Sequence, residues 1–269
     1  MNANIYLHEF RARLRSVAIW SLAATALVVI YFSFFSVFAD QAALLNDMMA
    51  RFPAEMRAAF GLDRLDLSTV LGYYSFIFLF VQLCLAIQAS NYGFGLVSIE
   101  ETELTADFLL SKPVSRTRVL SSKLLAAFTS LTLTNGVVWV SSIAAISAFR
   151  GERDYEARTL LLLLLSIAIF QVFFLGVGLV ISLLVKRVRS VTPYALGLGF
   201  GAYVLSAFSG VLGDVKLELI TPFRHLDAAA IVQNAAYDTP LVLLNAAVTL
   251  VALAVSYWLY IRRDIPAVS

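Results

Sequence analysis

Residues 159–185 read TLLLLLLSIAIFQVFFLGVGLVISLLV, a run without one Asp, Glu, Lys, Arg or His. As a helix at about 1.5 Å per residue it is about 40 Å long, more than the hydrocarbon core of about 30 Å. Lipid gives an unpaired backbone amide no partner, and the run lacks the alternation of a barrel strand, so it must be a helix. Five more uncharged runs follow the same rule: 16–39, 71–99, 124–149, 190–213 and 239–261. Across all 269 residues, 60% are of the AVILMFWYC set and 14% are charged, against about 25% in soluble domains. A soluble globular fold is excluded. The expectation is an all-α integral membrane protein, one polytopic domain over 1–269, with spans at about 16–39, 71–97, 124–149, 159–185, 191–212 and 240–261. No Pro/Gly/Ser-rich linker and no repeat of 20 to 50 residues divides it.

The net charge of +2 gives no reason to invoke nucleic acid, and the single cysteine, Cys84, excludes an internal disulfide or a multi-cysteine metal site. Position says more than sum. Twelve basic residues fall on the side of the N-terminus and eight on the other, which predicts cytoplasmic termini and a first span retained as a signal anchor. No loop is long enough to bury a core of its own, so any globular catalytic domain must come from another chain.

Before the first span, Leu7, Phe10, Leu14 and Val17 recur at helical spacing, with Glu9, Arg11, Arg13 and Arg15 between them. This predicts an amphipathic helix lying in the interface before the chain turns into the bilayer, or else a charged flank that only sets topology. Residues 98–123, SIEETELTADFLLSKPVSRTRVLSSK, form the most structured polar segment. Ser98 with Glu101 reads as a capping box, acids fill the first turns and Lys112 precedes Pro113, which predicts a short helix over about 99–111. Ser115 is placed to cap the next helix. Leu104 and Phe108, one turn apart, make a ridge for the groove of a cytoplasmic partner, unless the segment is a plain hydrophilic hairpin. On the other side, FPAEMRAAFG (52–61) predicts a helix from Pro53 to Gly61 with Met49, Phe52, Met56 and Phe60 on one face. TPFRHLDAAAIV (221–232) suits a re-entrant or interfacial helix.

No Asp, Glu, His, Lys or Arg lies inside the six runs, whereas carriers that run on ion gradients keep such groups despite a cost of about 2.5 to 3.5 kcal/mol each. The polar residues there are Gln82, Gln88, Asn91, Asn135, Gln171 and Asn245, with Ser and Thr, and such groups more often cement helices than bind cargo. Gly197 and Gly201 form a small-xxx-small step suited to helix packing. Aromatic residues crowd spans one, two and four. Tyr73, Phe76, Gln82, Asn135 and Gln171 are the candidates for a substrate pathway, with lipid contact as the alternative role of the aromatics. Catalytic, cofactor-binding and metal residues are not expected: His8 and His225 are assigned to opposite sides, and neither H-E-x-x-H nor a phosphate-binding G-x-x-x-x-G-K-[ST] occurs.

The stretch EETELTADFLLSKPVSRTRVLSSKLLAA, 100–127, resembles the first cytoplasmic loop of permease subunits of ATP-binding-cassette (ABC) exporters of the type-2 integral-membrane class. Glu100, Glu101, Leu109, Leu110, Ser111, Pro113, Val114, Ser115, Arg116 and Lys123 fit that loop's pattern, and Glu103 departs from the Gly or Thr common there. FGLDRLDLSTVLGYYSF (60–76), TPFRHLDAAAI (221–231) and YIRRDI (260–265) are similar to three further family segments, in family order. The resemblance implies an N-terminal connecting helix, a coupling helix docked on the ATPase between spans two and three, and an outer re-entrant segment before span six. It implies two ATP-binding subunits that carry ATP and Mg, and a second permease copy, identical or paralogous. It further implies efflux across a bacterial or archaeal plasma membrane, and the aromatic-rich spans favour a hydrophobic or amphipathic cargo, although they would equally suit lipid contact. Glu100, Glu101, Leu104, Phe108, Pro113 and Arg116 become the expected ATPase-coupling residues. A membrane scaffold or sensor coupled to an ATPase without transport has the same topology and remains the alternative.

Overall fold

The computed structural model describes residues 2–41, 48, 51–59, 64–102, 114–185, 188, 190–212 and 216–262. Among them there is no strand. Six helices are long and apolar enough to cross a membrane. The first is α1 (Ala3–Phe32), extended after a break at Ser33 and Phe34 by α2 (Phe35–Asp40). After the short α3 (Ala54–Ala59) come α4 (Val70–Thr102), α5 (Arg116–Phe149), α6 (Ala157–Leu184) and α7 (Val191–Leu212). A 3₁₀ turn (Lys216–Leu219), α8 (Pro222–His225) and α9 (Ala228–Asn234) lead to α10 (Thr239–Arg262).

Two expected boundaries are corrected. The amphipathic segment does not lie apart from span one, because α1 is unbroken from Ala3, where Asn2 Oδ1 accepts the Asn4 and Ile5 amides at 3.0 and 3.4 Å. No Pro or Gly interrupts it before Phe32. Its packed face also differs from the apolar stripe: Leu7 and Leu14 are exposed, while Arg13 is buried. Ser98 is likewise not a cap. Its hydroxyl donates to the Phe94 carbonyl one turn back, and α4 runs through it to Thr102. The expected helix over 99–111 therefore has its first residues in α4, and 103–113 lie outside the described residues. Ser115 does stand at the start of α5, in extended conformation, but without a capping bond from its side chain.

α4 and α6 form the centre. A side-chain Cβ on Gly93 would come 2.3 Å from the Leu175 carbonyl oxygen, so the two backbones touch there. α1 packs along α5 and α4, α7 along α4, and α10 along α6. A Cβ on Gly197 or Gly201 would meet nothing within 4 Å, so among the described residues the small-xxx-small step packs against no helix. At the end remote from the N-terminus, Phe32, Phe35, Tyr73, Tyr74 and Phe78 are buried in one aromatic cluster with ring centroids 5.1 to 6.4 Å apart. Tyr31 and Phe34 face outward. Phe52, just before α3, and Met56 within it are exposed, and Met49 and Phe60 lie outside the described residues.

α8 and α9 make an elbow tucked among α4, α6, α7 and α10. Asp227 caps α9 by accepting the Ala229 and Ala230 amides at 2.9 and 3.3 Å, and Ala235 ends it in the left-handed region at φ 48°.

Candidate functional site

The first two turns of α5 join three other helices. Arg116 Nη1 donates to the carbonyls of Ile261 and Tyr260 at 3.1 and 3.4 Å, at the C-terminal end of α10, where a cation meets the negative end of the helix dipole. Ser121 Oγ and the Tyr257 hydroxyl share a hydrogen bond of 2.7 Å, a second tie to α10. Ser122 Oγ accepts the Asn2 amide at 2.8 Å, a tie to α1. Lys123 completes the set: Nζ donates to the Leu96 carbonyl on α4 at 2.6 Å and stands 3.6 Å from Glu9 Oε1 on α1.

The Lys123 side chain is 2% exposed and that of Glu9 16%. Charges so placed persist only when paired, because desolvation is costly. Glu9 is held twice, since Arg13 Nη1 donates to its Oε2 at 2.6 Å and to its backbone carbonyl at 2.8 Å. The Arg13 guanidinium also lies over the Tyr92 ring, 5.8 Å from its centroid. From there a polar chain runs inward: Tyr92 donates to Ser16 Oγ at 3.2 Å, and Gln88 Nε2 donates to Tyr92 and Thr134 at 3.3 and 2.9 Å. Gln171 Nε2 then donates to Gln88 Oε1 at 3.3 Å. The Gln171 and Asn135 side-chain carbonyls are buried without a partner among the described residues.

At the opposite end, Gln82 Nε2 donates to the Leu226 carbonyl at 3.1 Å and fastens the elbow to α4. A cavity of about 50 Å³ beneath it is lined by Ser75, Phe76, Gln82, Ser206, Phe223 and Arg224, among others. That volume suits a water or two and no larger cargo. Arg224 pairs with Asp227 at 3.0 Å beside it, and Arg64 is 3.9 Å from the same carboxylate. His225 is buried; its Nε2 lies 3.2 Å from the Leu219 carbonyl and its Nδ1 3.4 Å from Asn245 Nδ2. That pairing assigns the proton to Nε2 and leaves Nδ1 to accept. Burial pushes the His225 pKa down, against the opposing pull of the Leu219 and Glu218 backbone.

Of the expected coupling residues, Glu100 and Glu101 fall in the last turn of α4, where only the backbone is described, and Leu104, Phe108 and Pro113 lie outside the described residues. Arg116 is bound to the end of α10. Among the pathway candidates, Phe76 and Gln82 share the small cavity, while the buried Tyr73 donates to the Tyr31 carbonyl at 2.9 Å. Gln171 belongs to the polar chain and Asn135 to α5. The sequence reading passed over Glu9, Arg13, Lys123, Gln88 and Tyr92 as a group. The only signal was the four-residue spacing of Glu9 and Arg13.

The family described as "ABC-2 family transporter protein" matches residues 3–265. No curated protein and no solved structure matches the chain. With the family covering nearly its whole length and six helices able to span a bilayer, the chain belongs to the ABC-2 transporter family and is a multi-pass membrane component of such a transporter.

Proposed function

We propose that this chain is the permease subunit of an ATP-driven exporter, moving a hydrophobic or amphipathic cargo out of the cell by alternating access. ATP and Mg are held by two copies of a separate ATP-binding subunit, and a second permease copy, identical or paralogous, completes the path. The N-terminal end of the bundle faces the cytoplasm of a bacterium or archaeon, in agreement with the excess of basic residues there. Residues 103–113, between α4 and α5, dock on the ATPase, with Leu104 and Phe108 as the ridge.

The observation that carries this reading is the junction at the start of α5. A push on 103–113 meets a helix whose first two turns are bonded to α1 by Ser122 and Lys123, to α4 by Lys123 and to α10 by Arg116 and Ser121. Motion there is passed to three helices at once. The cavity of about 50 Å³ at the other end, under the elbow fastened by Gln82, leaves no room for cargo there.

The test is affinity purification of the tagged chain in mild detergent from its host. A co-eluting soluble ATPase, with hydrolysis altered by the chain and weakened by Leu104→Ala/Phe108→Ala at unchanged expression, supports the reading. Association unchanged by that variant removes the coupling assignment. An associated ATPase that moves no lipid or drug probe in vesicles favours the scaffold.

A further inference from the structure

α1 divides its charges by face. Glu9 and Arg13 turn inward to Lys123, whereas His8, Arg11 and Arg15 are exposed and follow one another at spacings of three and four on the outward side. No acid among the described residues pairs with Arg11 or Arg15. The same stripe continues as Ile19 and Leu22, 56% and 70% exposed, four and seven residues beyond Arg15. A basic patch thus stands directly above an apolar track on one helix face.

Depth fixes what meets that face. Arg153 pairs at 2.6 Å with Asp40, the last residue of α2, at the end remote from the N-terminus. Counting back from there, the uncharged run 16–39 is long enough for a hydrocarbon core of about 30 Å and ends beside Arg15. Arg11 and Arg15 stand at headgroup level and Ile19 and Leu22 among acyl chains. A shallow concavity formed by Asn4, Leu7, His8, Arg11 and Ala12 opens at that level.

We propose that this face of α1 binds an anionic phospholipid of the leaflet on the N-terminal side. Its phosphate is held by Arg11 and Arg15, with His8 at the rim, and one acyl chain lies along Ile19 and Leu22. Two cations with no carboxylate partner among the described residues favour a headgroup of net negative charge over a zwitterionic one, and the apolar track below them selects a lipid over free phosphate. The site is independent of the transport reading, since it needs neither ATPase nor cargo.

The probe is dioctanoyl phosphatidylglycerol, compared with dioctanoyl phosphatidylcholine, added to the purified full chain in neutral detergent, with bound lipid counted by native mass spectrometry. The expected result is a preference for phosphatidylglycerol that falls on the order of fivefold per arginine removed in Arg11→Gln and Arg15→Gln. Arg11→Lys/Arg15→Lys keeps most of it, and Arg158→Gln, at the start of α6, leaves it unchanged. A second readout needs no charge change: maleimide labelling of Ala12→Cys in a Cys84→Ser background slows with phosphatidylglycerol and not with phosphatidylcholine. A preference unaltered by Arg11→Gln/Arg15→Gln, or labelling indifferent to headgroup, overturns the proposal. Equal protection by inorganic phosphate overturns the lipid assignment.

Discussion

The Lys123 ammonium donates a 2.6 Å hydrogen bond to the Leu96 carbonyl, although the two residues stand on opposite sides of the 103–113 segment in sequence. The bond ties α4 to α5. With Glu9 at 3.6 Å on the other side of the same ammonium, it joins both helices to α1.

Lys123→Met removes the buried cation, takes from the Leu96 carbonyl the donor it has besides its own helix, and leaves one Glu9 oxygen without its cation. Breaking a buried pair from one side costs about 3 to 5 kcal/mol, the upper part of which Arg13 offsets here by holding the other Glu9 oxygen. The thermal unfolding midpoint in detergent falls accordingly. Glu9→Gln costs less in the Lys123→Met background than alone, and additive costs would show that the two side chains are not coupled.

Arg116→Ala strips two carbonyls at the end of α10 of their guanidinium donor. A cation at a helix C-terminus contributes about 0.3 to 1 kcal/mol, so the change frays the last turn of α10 without unfolding the chain. Hydrogen exchange at residues 257–262 speeds up by about two- to fivefold, while exchange in α6 stays as it was.

His225 gives the elbow an acid sensitivity of defined sign. Asn245 from α10 and Phe173 from α6 face it uncharged, the 3₁₀ turn presents the Leu219 carbonyl and Glu218 backbone, and the Arg224–Asp227 pair flanks it in sequence on the elbow. Its folded pKa is lowered, so below the ordinary value of about 6.5 the unfolded elbow takes up a proton that the folded one refuses. The stabilisation is complete above that pH and is lost as pH falls toward the lowered value. Melting curves at pH 7.5 and 5.5 show a larger acid drop for the wild type than for His225→Gln, and equal drops would assign the sensitivity to other groups.

Gly93→Val forces a methyl-bearing Cβ against the Leu175 carbonyl, at the place where α4 and α6 touch. Backbone gives way only by separating the two central helices, so the variant is lost from the monodisperse fraction in size-exclusion chromatography. Gly197→Leu meets open space and elutes as the wild type does.

How far the sequence went is clearest from two pairs of residues. The runs that hold Gln82 and Gln171 were legible as spans from hydropathy alone, because lipid demands an apolar helix of a given length whatever its neighbours are. That Gln82 fastens the elbow through Leu226 while Gln171 extends the chain to Gln88 was not legible, since both are glutamines in mid-span with no local sign of direction. The break expected at Ser98 failed for a local reason: a serine followed three residues later by glutamate reads as a capping box, but in a continuing helix its hydroxyl bonds one turn back.

The sequence by itself determined six membrane-length helices, their order, the excess of basic residues at one end and the family resemblance that the match over residues 3–265 bears out. Only the tertiary structure decided which of the flanking charges are inside. Arg11, Arg13 and Arg15 are alike in composition and nearly alike in position, yet Arg13 enters an ion pair with Glu9 and the other two face outward. The reason is rotational: each residue turns about 100° around the helix axis, and which direction is inward depends on where α4 and α5 pack against α1. Hydropathy sums along a chain and carries no such angle.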